Sequence, residues 1–595
     1  MPKDRPLLPF STGASGTTRR LGAYADAIHG SPGRNRLLLL AFCLTVVVGA
    51  TAIGQLRLNA WNEPFFDALK NRDFVLFGRQ LVVFTGVAGV LIVLNIVQGW
   101  LDQWTKIALR QCITRDLLVQ WFTPRRAVLL SGAVPVGTNP DQRIQEDARR
   151  LTELTVSLAV GMLQSTLLLL SFVGVLWLLS RGFVFEFEER RFQIPGFMVW
   201  VALIYAASGS WLSWRLGRPL IGLNATRYAQ EAEFRFGLMR ANESRDGIAL
   251  SGGEEGERMR LEREFNSVIG IVRRIANVTT RLTGITAGYG WFTTVVPIIA
   301  AAPGYFGGHL TFGGLMMVVG AFNQVQQALR WYVDNAGNIA DWLATLERVM
   351  DLRQALLALD RAVPSENRIT VLENAPAFVI EGMTVEIPDR TISISEPRVE
   401  IRAGERLLVV GRPGTGKSTL FRALAGLWPW GTGRLSLPSK TKIIFLPQRL
   451  YLPDGSLRDV LAYPYEASVF EQEAFGRALA RTNLTHLISS LDRLARWDKE
   501  LTVDEQQHLA FARLLVHKPE WVVSDEALCH LNDDDRKMLF SLFDEELSKT
   551  AVLSISSNEA QYGFYSRILY LTAHPRLKVV PASLGRDAAI SGCLE

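Results

Sequence analysis

The sequence predicts a multidomain chain: a six-helix transmembrane domain followed by an α/β phosphate-loop nucleotide-binding domain. Three observations carry this. Six long apolar runs lie before about residue 350. Mean hydropathy is +0.14 even though 21% of residues are charged, because the apolar residues are concentrated in those runs. Finally, Gly411-Arg-Pro-Gly-Thr-Gly-Lys-Ser418 fits G-x-x-x-x-G-K-S, between an apolar strand at Leu407–Val410 and a helical stretch at Thr419–Leu427.

About 20 mostly apolar residues are needed to cross a bilayer as a helix. The runs that meet this are Leu37–Gly54, Leu81–Leu101, Val156–Ser180, Phe197–Trp214, Gly284–Ala302 and Gly313–Leu329. Pro297 inside the fifth is tolerated where neighbouring helices satisfy the freed carbonyl. The loop after the second run holds Lys106, Arg110, Arg115, Arg125, Arg126, Arg143, Arg149 and Arg150, and the loop after the fourth is equally rich in arginine. The loops around Trp61–Asp73 and Arg181–Gln193 are short and carry Glu63, Asp67, Asp73, Glu186, Glu188 and Glu189. The positive-inside bias therefore places the N-terminus, both long loops and the nucleotide domain in the cytoplasm of a multi-pass inner-membrane protein. Arg215–Arg281 reads as two helices extending past the membrane with a break at Ser251-Gly-Gly253.

Residues 1–35, rich in Ser, Gly, Pro and Arg, read as a flexible cytoplasmic tail. Residues 36–358 form the expected transmembrane domain, 359–373 a linker and 374–595 the nucleotide domain. The net charge of +6 sits in the loops between spans, which argues for a lipid bilayer and against nucleic acid as partner. Cys43, Cys112, Cys529 and Cys593 share no close spacing, so neither a metal site nor a disulfide framework is expected. Asn323, Gln324 and Gln327 would be costly facing lipid and are expected to face a water-filled cavity. The aromatic and acidic residues Trp61, Glu63, Phe65 and Asp67 read either as interfacial anchors or as an entrance that attracts cationic peptides.

The phosphate loop binds a nucleoside triphosphate by known physics. Its glycines turn backbone N–H groups inward around phosphates, its lysine reaches the terminal phosphates, and its Ser hydroxyl ligates Mg²⁺. The helix that follows points its positive end at the same anion. Candidate nucleotide-binding residues are Gly411, Gly414, Gly416, Lys417, Ser418 and Thr419, and the expected cofactors are ATP and Mg²⁺.

Downstream residues make this domain resemble an ABC-transporter ATPase. Gln448, in Phe445-Leu-Pro-Gln-Arg449, matches the Q-loop, and Trp521-Val-Val-Ser-Asp525 followed by Glu526 matches Walker B. The resemblance implies Glu526 and Gln448 as catalytic residues, with Glu526 polarising the attacking water. It implies Ser418, Gln448 and Asp525 as metal-binding residues, and a membrane half of exporter type. Asn139-Pro-Asp-Gln-Arg-Ile-Gln-Glu-Asp147, Gly217-Arg-Pro-Leu220 and Asn242-Glu-Ser244 resemble a narrower group. These are the BacA/SbmA-like transporters fused to an ATPase, half-transporters related to the peroxisomal fatty-acyl type. This resemblance covers about Leu37 to Leu571.

The departures from the pattern are specific. The signature L-S-x-G-E-Q-Q stands here as Leu501-Thr-Val-Asp-Glu-Gln-Gln507, with Thr502 a candidate nucleotide contact across a dimer and Asp504 in place of Gly. Asn532 replaces the D-loop Asp, Ser557 the switch histidine, and Ile387 the adenine-stacking aromatic. The resemblance implies a homodimeric importer of peptides or other large hydrophilic solutes, powered or gated by ATP. The alternative is a proton-coupled peptide transporter whose ATPase domain only binds nucleotide. Segments Asp141–Arg149 and Glu243–Glu254 are expected at the cytoplasmic tips near the nucleotide domains.

Overall fold

The computed structural model describes residues 14–133, 139–180, 185–187, 190–192, 194–359, 368–387, 390–526, 533–556 and 562–575. Its contacts divide the chain into two units. Among the described residues, the membrane unit comprises those of 14–119 and 139–353, and the nucleotide unit those of 120–133 and 354–575.

The first four helices are α1 Ala14–His29, α2 Arg34–Lys70, α3 Phe74–Phe122 and α4 Arg126–Ala133. A short α5 Pro140–Gln142 and a π-turn Arg143–Asp147 lead into α6 Ala148–Leu179. The hairpin of β1 Phe185–Phe187 and β2 Arg190–Phe192 precedes α7 Phe197–Glu243 and α8 Arg245–Leu250. Then follow α9 Glu254–Phe306, α10 Phe312–Asp334 and α11 Ala336–Ala358. At 1.5 Å per residue, the 53 residues of α9 make a rod of about 80 Å. The hydrocarbon core needs only about 30 Å of this, so the remainder projects into water. The break between α8 and α9 falls at Ser251-Gly-Gly253, where Gly252 takes φ +61°.

Among the described residues, five helices are long and apolar enough to cross a membrane. The sixth expected run differs in kind. It lies in α10, whose Gly313, Gly314, Asn323 and Gln326 lower its hydropathy. α10 instead packs against α2, α6, α7 and α9, and buries Leu315, Val318, Ala321, Phe322 and Val325 in a core shared with Phe172, Leu176 and Met198. It is the central helix of the unit rather than a lipid-facing one. Gln327 is exposed, while Gln326 is buried and Asn323 half-buried.

Two further expectations are corrected within this unit. The supposed tail holds helix α1, which buries Tyr24 and Ala27. Arg20 Nε donates to Asp351 at 2.9 Å, an ion pair that ties α1 to α11. Residues 1–13 lie outside the described residues. Trp61–Asp67 belongs to α2 rather than a loop. Trp61 stacks on Phe65 at 4.3 Å, its Nε1 donates to Gln80 O at 2.8 Å, and Asp67 accepts from Gly313 N at 2.7 Å. These side chains close the end of the bundle by packing. Glu188 and Glu189 lie outside the described residues.

Asn139–Asp147 is a structural joint. Asn139 takes φ +54°, which starts the short turn before the π-turn. The 6% exposed Asp147 carboxylate receives both Arg348 Nε and Nη2 at 2.9 Å. This segment and Glu243–Glu254 both group with the membrane unit. The described part of the same basic loop that groups with the nucleotide unit is residues 120–133, where Arg125 reaches Glu373 at 2.7 Å.

In the nucleotide unit a ten-stranded sheet runs β3-β8-β4-β5-β14-β7-β13-β12-β9, with β6 paired to β4. Its strands are β3 Thr370–Leu372, β4 Phe378–Ile387, β5 Arg390–Ile394, β6 Arg398–Ile401, β7 Arg406–Val410, β8 Gly431–Ser436, β9 Ile443–Leu446, β12 Trp521–Asp525, β13 Ala551–Ser556 and β14 Arg567–Pro575. A separate pair joins β10 Gly455–Ser456 to β11 Leu494–Ala495. β3 falls where a linker was expected, because Val371 pairs with Leu435 of β8. β14-β7-β13-β12-β9 are mutually parallel, and the central β7, β13 and β12 are buried on both faces, as their Leu, Val and Ile content requires. The helices are α12 Lys417–Leu424, α13 Leu457–Ala462, α14 Gln472–Arg481, α15 Trp497–Glu500, α16 Val503–His517 and α17 Asp533–Ser541.

Candidate nucleotide site

Ligands of parallel sheets bind beyond the carboxyl ends of the strands. Three strands of the parallel core deliver the described candidates there. β7 ends at the phosphate loop, β12 ends in Asp525 and Glu526 follows it, and Gln448 is exposed two residues after β9. Strand order alone therefore gathers residues that lie far apart in sequence.

The loop geometry is that of an anion cradle. Gly414 and Gly416 take φ +82° and +101°, in the left-handed region. A Cβ on Gly416 would lie 2.5 Å from Ile387 Cδ1, so only glycine fits. Gly416 O accepts from Thr419 N at 3.0 Å and Leu420 N at 2.9 Å, which starts α12 and aims its N-terminus into the cradle. The loop is anchored below where Gly411 N donates to Ser556 O at 3.3 Å. Lys417 is 9% exposed. Its Nζ donates to Gly411 O at 3.1 Å and lies 3.5 Å from Glu526 Oε1.

Asp525 is 7% exposed. Burial pushes its carboxyl above the usual range, opposed by a hydrogen bond from Ser418. Its Oδ1 is buried and has no hydrogen-bond partner among the described residues. A buried carboxylate with an unsatisfied oxygen beside a Ser hydroxyl is an oxygen donor set that fits Mg²⁺, and the cation would relieve the burial penalty. Glu526 takes φ +49°, unusual for a non-glycine residue and frequent where side chains are aimed for function. Its N–H donates to Ile555 O at 3.0 Å.

Lys417, Ser418, Asp525 and Glu526 thus meet at one point. Thr502 sits elsewhere, as N-cap of α16. Its Oγ1 accepts from Glu505 N at 3.3 Å, while its N–H donates to Glu505 Oε2 at 2.9 Å. The box holds Glu505 below the usual carboxylate range, chiefly through that Thr502 N–H. Asp504, in the first turn, is exposed. Asn532 and Ser557 lie outside the described residues. Sequence reasoning missed Arg390, whose Nη1 donates to Gly414 O at 3.3 Å; nothing in the local sequence marks a basic residue on β5 as a neighbour of the phosphate loop.

Comparison with known proteins agrees with this geometry. Residues 28–306 match the family described as ABC transporter transmembrane region 2, and residues 394–529 match ABC transporter. The chain is 26% identical over 547 residues to the inner membrane ABC transporter ATP-binding protein YddA of Escherichia coli (strain K12), covering 91% of this chain and 95% of that one. It is 25% identical to ABC transporter D family member 2, chloroplastic, of Arabidopsis thaliana, covering 91% and 84%. It is 24% identical to the human lysosomal cobalamin transporter ABCD4, covering 92% and 93%. The fold resembles that of a bacterial Atm1-family ABC exporter with ATP bound, at a TM-score of 0.62 and 15% identity over 90% of this chain and 93% of the other. The chain is an ABC transporter with transmembrane and ATPase domains fused in one polypeptide, related to the D-family half-transporters.

Proposed function

We propose that two copies of this chain form a BacA/SbmA-like importer that uses ATP to carry a large hydrophilic solute, a peptide or a corrinoid, across the inner membrane. The reading rests on one observation above all: Lys417, Ser418, Asp525 and Glu526 converge in a chain whose other unit carries five helices able to span a bilayer. ATP is the substrate of the motor. Gly414 and Gly416 offer backbone N–H groups to its phosphates, and Lys417 exchanges its bonds to loop carbonyls for phosphate oxygens. Ser418 and Asp525, with Gln448, would hold Mg²⁺, which would supply neutralising charge on the phosphates. Glu526 accepts a hydrogen bond from the attacking water and takes its proton.

The homodimer follows from the placement of Thr502. One chain holds one phosphate loop, and the N-terminus of α16 serves the nucleotide of the partner. There Asp504 presents a carboxylate toward phosphate. At about 4 Å and an effective dielectric of about 20 such a pair repels by roughly 4 kcal/mol, so turnover is slow. The similarity to a protein described as a cobalamin transporter supports the substrate class.

Efflux from vesicles tests the proposal. Full-length protein in inside-out proteoliposomes, given ATP and Mg²⁺ outside, is expected to export labelled cyanocobalamin or a labelled peptide from the lumen, which corresponds to import in the cell. Glu526→Gln is expected to stop it. Movement that ignores ATP, or that survives Glu526→Gln undiminished, contradicts the reading.

A further inference from the structure

In the membrane unit α7, α9 and α10 enclose a small cavity. Its polar lining comes from Ser210 and Ser213 of α7, Thr286 of α9, and Gln326, Arg330 and Asp334 of α10. The three α10 residues recur every four positions, so they share one face of that helix. Aromatic rings close one end. Tyr205 stacks on Tyr289 at 4.2 Å, its hydroxyl donates to Tyr289 O at 2.6 Å, and Phe322, one turn before Gln326, lies 5.9 Å from the Tyr205 ring. At the other end Arg330 Nε donates to Asp334 at 3.1 Å. The centre of a bound water would have about 20 Å³ to occupy between them. That is room for one polar group and not for a whole solute.

The lining holds hydrogen-bonding capacity that the protein leaves unused. Gln326 is 7% exposed, and its amide bonds to no other described residue. The half-buried Ser210 and Ser213 hydroxyls also bond to none. By contrast, Thr155, Thr166 and Ser180 of α6 each donate to a carbonyl one turn back, and Thr286 donates to Thr283 O at 3.1 Å. Buried polar groups are nearly always bonded, and those inside a membrane bundle are costly when they are not. Three open side chains around one cavity therefore mark it as a seat for a polar group.

The charge of the lining is already balanced. Arg330 and Asp334 neutralise each other, so an incoming carboxylate would lie against Asp334 and an incoming ammonium against Arg330. Either would shed its water with no free opposite charge to meet it. An uncharged carboxamide suits what remains. Its N–H groups meet Gln326 Oε1 and the serine oxygens, and its carbonyl accepts from Gln326 Nε2 and the serine hydroxyls. An apolar group would leave all of these unpaired.

We propose that this cavity seats one uncharged carboxamide arm of the transported solute, and that Gln326 is the residue that reads it. The proposal rests on reading the chain as a carrier of large hydrophilic solutes, and it narrows that class to solutes with carboxamide side arms. Glutamine-containing peptides and the amide-fringed corrin ring both present the group.

The test is equilibrium binding to full-length protein in lipid nanodiscs. The probes are four peptides, N-acetyl-Ala-Ala-Xaa-Ala-Ala amide, with glutamine, glutamate, lysine or leucine at Xaa and the same backbone throughout. The glutamine peptide is expected to bind at least about tenfold more tightly than each of the others, because a site built to hydrogen-bond a group rejects analogues that lack it. Gln326→Leu is expected to remove that preference by bringing the glutamine peptide down to the affinity of the leucine peptide. Elution volume and melting profile show that the variant is folded; Gln326→Met serves where the leucine variant is not. A smaller preference, a preference that survives the substitution, or no binding of the glutamine peptide overturns the site. Vesicle transport by the unmodified protein separates the two ideas. Transport that ignores the side chain at Xaa sinks the site and leaves the transport reading standing. Selective binding without transport supports the site and counts against the transport reading.

Discussion

Asp525 carries two opposed demands. Its buried carboxyl is held above the usual range by desolvation, so the folded chain binds that proton more tightly than the unfolded chain does. Its favourable contribution to stability is thus present at low pH and is lost as pH rises through the folded pKa. At neutral pH the ionised group is a liability that a cation removes. Asp525→Asn is therefore expected to raise the melting temperature of the nucleotide-free protein while abolishing the extra stability given by ATP with Mg²⁺. A scan with and without Mg-ATP checks both; a variant that melts earlier without ligand contradicts the account. Lys417→Ala removes charge-assisted bonds worth about 1.5–3 kcal/mol, so ATP affinity should fall roughly 10- to 150-fold. Filter binding of labelled ATP measures this. These residues were legible in sequence because the phosphate loop and Walker B are compact local patterns. Arg390 and the Ile387 contact to Gly416 were not, since both depend on how β4 and β5 lie beside the loop.

The elements show where pattern and packing diverge. The capping box of Thr502 and Glu505 fixes the start of α16, and Asp504 in the same turn suits the positive end of its helix. What stabilises the element handicaps the site. Thr502→Ala should cost about 1 kcal/mol locally, seen as roughly fivefold faster hydrogen exchange of the first-turn amides; unchanged exchange would show that the cap does not hold the helix. At the base of the membrane unit, Asp351→Asn weakens the partner of Arg20. Loss of about 1.4 kcal/mol there should speed tryptic cleavage after Arg19 and Arg20 about tenfold, and unaltered cleavage would mean that α1 is held by other contacts. α1 was unreadable as a docked helix because its partner lies 331 residues away. α10 was found as a run, but its packing against four other helices was not legible, since most of those partners lie far away in sequence.

At the scale of the molecule, alternation of strand and helix around one phosphate loop and the succession of apolar runs were enough to predict the architecture. The helical extensions were legible too: Arg215–Arg281 reads as two helices broken at Ser251-Gly-Gly253, and α7 and α9 run on either side of that break. One phosphate loop and one α16 per chain predict a dimer. Mass measurement in mild detergent with ATP bound is expected to give twice the 66.3 kDa chain, and a monomer with nucleotide still bound contradicts it. The central claim is that this motor hydrolyses ATP through Glu526 but is slowed by its signature helix. The measurement that tests it most directly is phosphate release by purified protein in proteoliposomes with ATP and Mg²⁺. Three forms are compared: unmodified, Glu526→Gln, and Asp504→Gly combined with Ser557→His. The account predicts slow release, near-complete loss in the first variant, and a rise in the second of up to about 10²–10³-fold, the size of one restored electrostatic contact. Release that persists in Glu526→Gln, or that is unchanged by restoring the glycine and the histidine, contradicts it.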